Sequence, residues 1–228
     1  SYPVSQWYTD LGQYTFPTVF IRLTADEREA FLAGERQSTA TRRLVKKFDY
    51  VIEHLPGTCF VHADVCAPTD AELFSGGDGA VRRGRPAWNL LQQSDKVRQA
   101  LTQGESVRFG VRPFRRMAHA REFRLFVHAG VLSAVSQRFL GRYHPRLHRR
   151  ADELWRLSRS FIGRIAEFLP APDMVVDVYL TASGKLMLLD LNTFGPPTDP
   201  LLLRTWECDW AAKPGLKLLP RPTQLGGE

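Results

Sequence analysis

Residues 174–202 read MVVDVYLTASGKLMLLDLNTFGPPTDPLL, and this stretch decides the fold. Met174 to Leu180 and Lys185 to Leu191 are apolar and partly β-branched, with Ser183-Gly184 as a two-residue turn signal between them. The pattern predicts a β-hairpin. A tight turn pairs Ala182 with Lys185, and that register sets Asp177 opposite Asp190. Side chains alternate along a strand, so Asn192 shares the face of Asp190. Two carboxylates directly across a sheet repel. A cation between them relieves the repulsion. Two carboxylates and an amide carbonyl are hard oxygen donors, suited to Mg²⁺ held together with substrate phosphates. The alternative is structural: one aspartate caps a turn and the other pairs with an arginine.

Outward from the hairpin, Ala120 to Val127 and Val131 to Phe139 predict a second hairpin around Ala129-Gly130. In its first strand Glu122, Arg124 and Phe126 share one face, and Phe123, Leu125 and Val127 the other. Charge on one face and core on the other suits either a ligand-facing or a solvated sheet. Between the hairpins, Arg149 to Leu169 has helical spacing, with Leu154, Leu157, Phe161, Ile165 and Phe168 on one face. His144 and His148 have the spacing of two helical zinc ligands. Pro145 lies between them and no nearby Cys or carboxylate completes a set, so zinc is set aside.

Upstream, Phe16 to Leu23 predicts a strand, and T-A-D-E at 24–27 is a capping box opening a helix from Ala25 to about Ala33. Thr39 to Leu55 is an amphipathic helix stopped by Pro56-Gly57, Thr58 to Ala63 a strand, Trp88 to Thr102 a helix, and Ser106 to Phe114 a strand. Ser75 to Pro86, SGGDGAVRRGRP, reads as a loop that either covers phosphates or is plain surface. It is neither a P-loop nor a dinucleotide fingerprint. From Pro214 on the composition predicts a loose tail.

The chain carries a net charge of +7, almost all from arginine, since lysine occurs only at 46, 47, 96, 185, 213 and 217. Guanidinium forks suit phosphate, on a nucleotide or on RNA. No apolar run approaches the roughly 20 residues of a membrane helix, and no secretory pattern opens the chain. Cys59, Cys66 and Cys208 form no C-x-x-C pair and read as reduced thiols, which places the chain in the cytoplasm.

The runs D-V-Y, S-G-K, L-L-D-L-N-T-F-G, T-D-P-L-L and T-W-E between 177 and 207, with R-E-F-R-L-F-V and A-V-S-Q-R between 121 and 138, resemble the cell division cycle 123 family. N-L-L-Q-Q-S-D at 89–95 adds to the likeness, which spans most of residues 7–207. It implies an ATP-grasp-like fold that binds ATP with Mg²⁺, and, in eukaryotic members, assembly of translation initiation factor 2 through its gamma subunit. By the same resemblance Asp177, Asp190 and Asn192 are the magnesium ligands, and Glu122, Arg124 and Arg138 face the nucleotide. Pro113, Phe114 and Arg115 match the hinge that holds the adenine. Aligning Ala67-Pro68 and Asp70-Ala71 on the family's A-P-x-D-A puts Ala67 at the nucleotide and His62 where the family carries a phosphate-contacting lysine. A histidine near its reference pKa of ~6.5 is only partly charged at neutral pH, so a weaker or pH-dependent phosphate grip is expected. Thr69 and Val65 also depart from the family's arginine and aromatic residue.

The expected fold is α+β: two lobes of mainly antiparallel sheet with packed helices and a nucleotide cleft between them. The expected organisation is an N-terminal lobe over 1–112, an ATP- and metal-binding lobe over 113–210, and a tail over 211–228, acting as a monomer. The function this implies is an ATP- and Mg²⁺-binding chaperone for a protein client. An ATP-dependent ligase and a basic RNA-binding module are the alternatives. The chain's Arg-rich, compact character suits a bacterial source.

Overall fold

The computed structural model describes residues 1–77 and 79–222. Asp78, within the glycine- and arginine-rich segment, and residues 223–228 of the expected tail lie outside the described residues. The fold is α+β, as the sequence predicts. Among the described residues no helix is long and apolar enough to cross a membrane. The chain forms two compact units: residue 1, Pro3–Thr9 and Phe16–Arg116 make the first, and Tyr2, Asp10–Thr15 and the chain from Met117 onward make the second.

A helix absent from the sequence reading, α1 (Val4–Leu11), forms around Trp7, which is buried together with Leu11. In the first unit, β1 (Val19–Arg22), β2 (Cys59–Ala63) and β3 (Arg108–Pro113) form an antiparallel sheet in the order β1-β3-β2. α2 (Ala25–Leu32) starts at the predicted capping box: Thr24 accepts from the Glu27 N–H, and the Glu27 carboxylate takes the Thr24 N–H at 2.9 Å. α3 (Thr39–Glu53) buries Leu44, Phe48 and Ile52, spaced four apart on one face, and Phe48 and Phe31 both pack on Phe109 of β3.

Two predicted elements are corrected here. The single helix expected over 88–102 is two, α5 (Gly84–Gln92) and α6 (Asp95–Thr102), following a short α4 (Glu72–Gly77). Ser94 breaks it: its backbone is extended, its hydroxyl accepts the Val97 N–H at 3.2 Å, and it donates to Asp70 at 2.6 Å. The loop expected up to Pro86 likewise ends at Arg83, because Gly84-Arg85-Pro86 is the first turn of α5. Gly84 is there for packing. A Cβ on it would fall 2.2 Å from the Val45 carbonyl oxygen, and its N–H donates to Asp49 at 2.6 Å.

The second unit is a five-stranded sheet in the order β7-β6-β4-β5-β8. Its strands are β4 (Glu122–His128), β5 (Val131–Gln137), β6 (Met174–Leu180), β7 (Leu186–Thr193) and β8 (Gly215–Lys217). A short α7 (Pro145–Arg149) leads into α8 (Ala151–Ile165), which buries Leu154, Phe161, Ile162 and Ile165 against the sheet. Leu157 is only half-buried, and Phe168 is exposed because the α-helix ends at Ile165 and a 3-10 turn carries 166–168. On the face of β4 that carries Phe126, an aromatic cover of Phe194, Trp206 and Trp210 closes over Ala134 and Val175. The expected loose tail is corrected too. Residues 215–217 pair in parallel with Ala134 to Ser136, since β5 would otherwise present an open edge.

Candidate functional site

The predicted β6–β7 hairpin forms, but by a different route. Its turn has three residues, Ala182 to Gly184, with Gly184 at φ +80° and the Thr181 N–H bonded to the Lys185 carbonyl at 2.8 Å. That shifts the register by one relative to a two-residue turn. A bulge then leaves Leu189 unpaired and shifts it back, so Asp177 does stand opposite Asp190. Asn192 lies two residues on, opposite Val175.

The same register carries across the sheet. Asp190, Asp177, Arg124, Ser136 and Lys217 occupy one row, one residue from each of the five strands. Asp177 is buried at 1% exposure, and Arg124 closes a fork on it: Nε donates to Oδ1 at 2.8 Å and Nη2 to Oδ2 at 2.9 Å. Arg124 Nη1 donates to the Asp199 carbonyl at 2.7 Å, which ties the segment after β7 to the row. Burial by itself would lower the Arg124 pKa, but the bonds and charge of Asp177 reverse this and raise it.

Asn192 Nδ2 lies 3.4 Å from Asp177 Oδ2, and Arg138 Nε 3.5 Å from the same oxygen. Arg138 thus joins Arg124 at one carboxylate, and its Nη1 also donates to Glu122 Oε2 at 2.8 Å. Asp190 differs from its neighbour. Its carboxyl is pushed up to about 7, first by desolvation and then by the charge of Asp177 across the ladder. The Leu191 N–H, 2.9 Å from Asp190 Oδ1, and Arg138 oppose that rise in part.

Six of the expected residues therefore meet on one sheet: Glu122, Arg124, Arg138, Asp177, Asp190 and Asn192. The others belong to the first unit. His62 sits on β2 opposite Gly110 and is 4% exposed. Its ring stacks on Phe60, and Nδ1 is 2.7 Å from the Ala63 carbonyl oxygen. Its pKa falls to about 3, from desolvation and then from the charge of Arg112. The expectation of a partly charged histidine is thus corrected: His62 is neutral at any physiological pH and cannot replace a lysine's charge. Gly110 makes room for it, since a Cβ there would lie 2.3 Å from Nε2. Pro113 closes β3, the Phe114 N–H bonds to the Thr58 carbonyl at 2.7 Å, and Arg115 is exposed. Ala67 accepts from the Thr69 N–H at 2.9 Å.

Three residues escaped the sequence reading. Ser136 shares the alternation of Arg138 and was findable by parity. Lys217 sits in a Pro- and Gly-rich stretch with no pattern. The Arg112 guanidinium lies 5.0 Å from the Phe60 ring and 5.7 Å from the Phe16 ring, a bracket visible only in three dimensions.

The D123 family pattern matches residues 22–212. Over 87 residues the chain is 36% identical to the Translation initiation factor eIF2 assembly protein of Xenopus laevis, covering 38% of this chain and 25% of that protein. The match thus spans about a quarter of that curated relative. A Putative CDC123-like protein L884 of Acanthamoeba polyphaga mimivirus is 22% identical over 212 residues, 86% of this chain and 65% of that one. The solved C-terminally truncated Cdc123 of Schizosaccharomyces pombe superposes with a TM-score of 0.81 at 24% identity, over 96% of this chain and 95% of that one, which shows a common fold. Vertebrate, viral and fungal proteins give the expectation of a bacterial source no support.

Proposed function

The chain belongs to the D123 family, and from that we propose that it is an ATP-binding, Mg²⁺-dependent factor serving the assembly of a translation-factor client. The client rests on the printed name of the amphibian relative, an eIF2 assembly protein. An ATP-grasp-like use of the second sheet rests on one observation: Asp190 and Asp177 face each other across β6–β7, with Arg124 and Arg138 converging on Asp177.

The donors fit Mg²⁺ on particular terms. Among the described residues no group of three His, Cys, Asp or Glu side chains is set to hold a metal. Two carboxylates and the amide of Asn192 fall short of an octahedral shell, and Mg²⁺ ordinarily completes its shell with water and phosphate oxygens. Asp190 would be the principal ligand, since its desolvated carboxyl gains most from a neighbouring cation. Asp177 would share the ion while keeping Arg124 in place. The bound ion would supply positive charge for polyphosphate. Arg138, half-exposed and reaching both Glu122 and Asp177, would turn toward the phosphates.

Calorimetric titration with ATP in the presence and absence of Mg²⁺ tests this. Wild type should bind ATP only with Mg²⁺, and Asp190→Ala should lose at least tenfold in affinity. Equal binding by the two proteins would remove the row from the nucleotide site. Sustained phosphate release without a client would argue for the ligase reading instead.

A further inference from the structure

We propose that the open edge of β1 and the outward face of α3 form a docking groove for an extended acidic segment of a protein partner, added to the sheet as a fourth strand. This rests on the first unit alone and not on the nucleotide reading. β1 is an edge strand of the β1-β3-β2 sheet. The Leu23 N–H bonds to the Val107 carbonyl at 3.0 Å, so Val19, Ile21 and Leu23 turn their backbone groups to β3. By alternation Phe20 and Arg22 turn theirs outward. The Arg22 carbonyl accepts from Lys47 Nζ at 3.3 Å, and the Thr18 N–H donates to Tyr8 Oη at 2.9 Å, which closes the edge upstream. Phe20 N–H and C=O and Arg22 N–H therefore form the pairing stretch.

An open groove of about 490 Å³ runs beside this stretch, bounded by Phe20 and Arg22 on one side and Arg43, Lys46, Lys47 and Tyr50 on the other. Tyr50 is 66% exposed. Arg43 and Lys47 are engaged by Asp26 and Glu27, whereas Arg22 and Lys46 make no ion pair among the described residues. The groove is thus net positive, and its partner net negative. Ile21 turns into the core that α3 covers. Every second side chain of an added strand would therefore face the α3 cations, and the rest would lie beside Phe20.

The test is fluorescence anisotropy with a labelled twelve-residue peptide of alternating glutamate and valine, titrated with the full chain without nucleotide. Saturable binding is expected, at least tenfold weaker for the exposed double variant Arg22→Glu/Lys46→Glu, whose melting should match wild type. Of two peptides N-methylated on alternate residues, in the two possible registers, one should also lose at least tenfold, because methylation removes the donors that face β1 while keeping every charge. Three results overturn the proposal. Parent-like binding by both methylated peptides would mean that the groove reads charge only and adds no strand. Twelve-residue oligouridylate matching the peptide's affinity and sensitivity to the variant would make it a general polyanion surface. No saturable peptide binding would mean that the cations guard the edge.

Discussion

His62 in the first sheet and Asp177 in the second are both polar side chains deep in a strand, yet they solve burial in opposite ways. Asp177 sits in a guanidinium fork supplied by the row across its sheet, and Arg138 and Asn192 lie within 3.5 Å of the same oxygen. His62 has one backbone partner, an aromatic neighbour and a nearby like charge from Arg112, so it gives up its proton instead. A buried ionisable group keeps its charge only where the neighbouring strands provide the counter-charge. Of these two buried positions, the one with a guanidinium counter-charge lies on the five-stranded sheet and not on β2.

The sharpest way to break this contrast is Asp177→Ala. It strands the buried Arg124 charge, and urea unfolding should show a loss of about 3–5 kcal/mol. Replacing Arg124 as well, by Met, should recover most of that loss, because the cost lies in the unpaired charge.

The His62 side is read by pH. The folded pKa is about 3 and the unfolded one near 6.5. Below pH 6.5 the unfolded chain takes up a proton that the folded chain refuses. Stability therefore falls with pH across that window, by about 3 kcal/mol between pH 6.5 and 4. His62→Phe should flatten this part of the profile in urea titrations at the two pH values. An unchanged slope would mean that the histidine is solvated after all.

Asp190 gives the opposite sign. Its folded pKa is about 7, against 3.8. The folded chain then holds a proton that the unfolded one releases, so the stability due to the protonated acid is present at pH 4 and is lost as pH rises through 7. Asp190→Asn should stabilise the metal-free protein at pH 8 by roughly 2 kcal/mol, leave pH 4 unchanged, and still abolish Mg²⁺-dependent ATP binding. Thermal melts at both pH values check it.

The smallest effect lies in the first unit's helices. Ser94→Ala removes the cap of α6 and its bond to Asp70, and should cost about 1 kcal/mol by chemical denaturation. No loss would restore the single helix that the apolar spacing suggests.

Much of this was legible in the residues. Alternation placed Glu122 with Arg124, the capping box opened α2, and the turn signal brought Asp177 opposite Asp190. That last agreement has an instructive cause, since a longer turn and a bulge cancel each other, and neither has a pattern of its own. Propensity likewise carried one helix through Ser94, because the competing cap depends on Asp70, more than twenty residues away.

By itself, then, the sequence determined the α+β class, the two hairpins, the face shared by Asp190 and Asn192, and membership of a family through motifs that survive as local strings. Only the tertiary structure decided which charges persist. Protonation depends on desolvation and on partners brought in from other strands, as with Arg124 on Asp177 and Arg112 beside His62. Those distances are set when the sheets close, and no spacing along one strand encodes them.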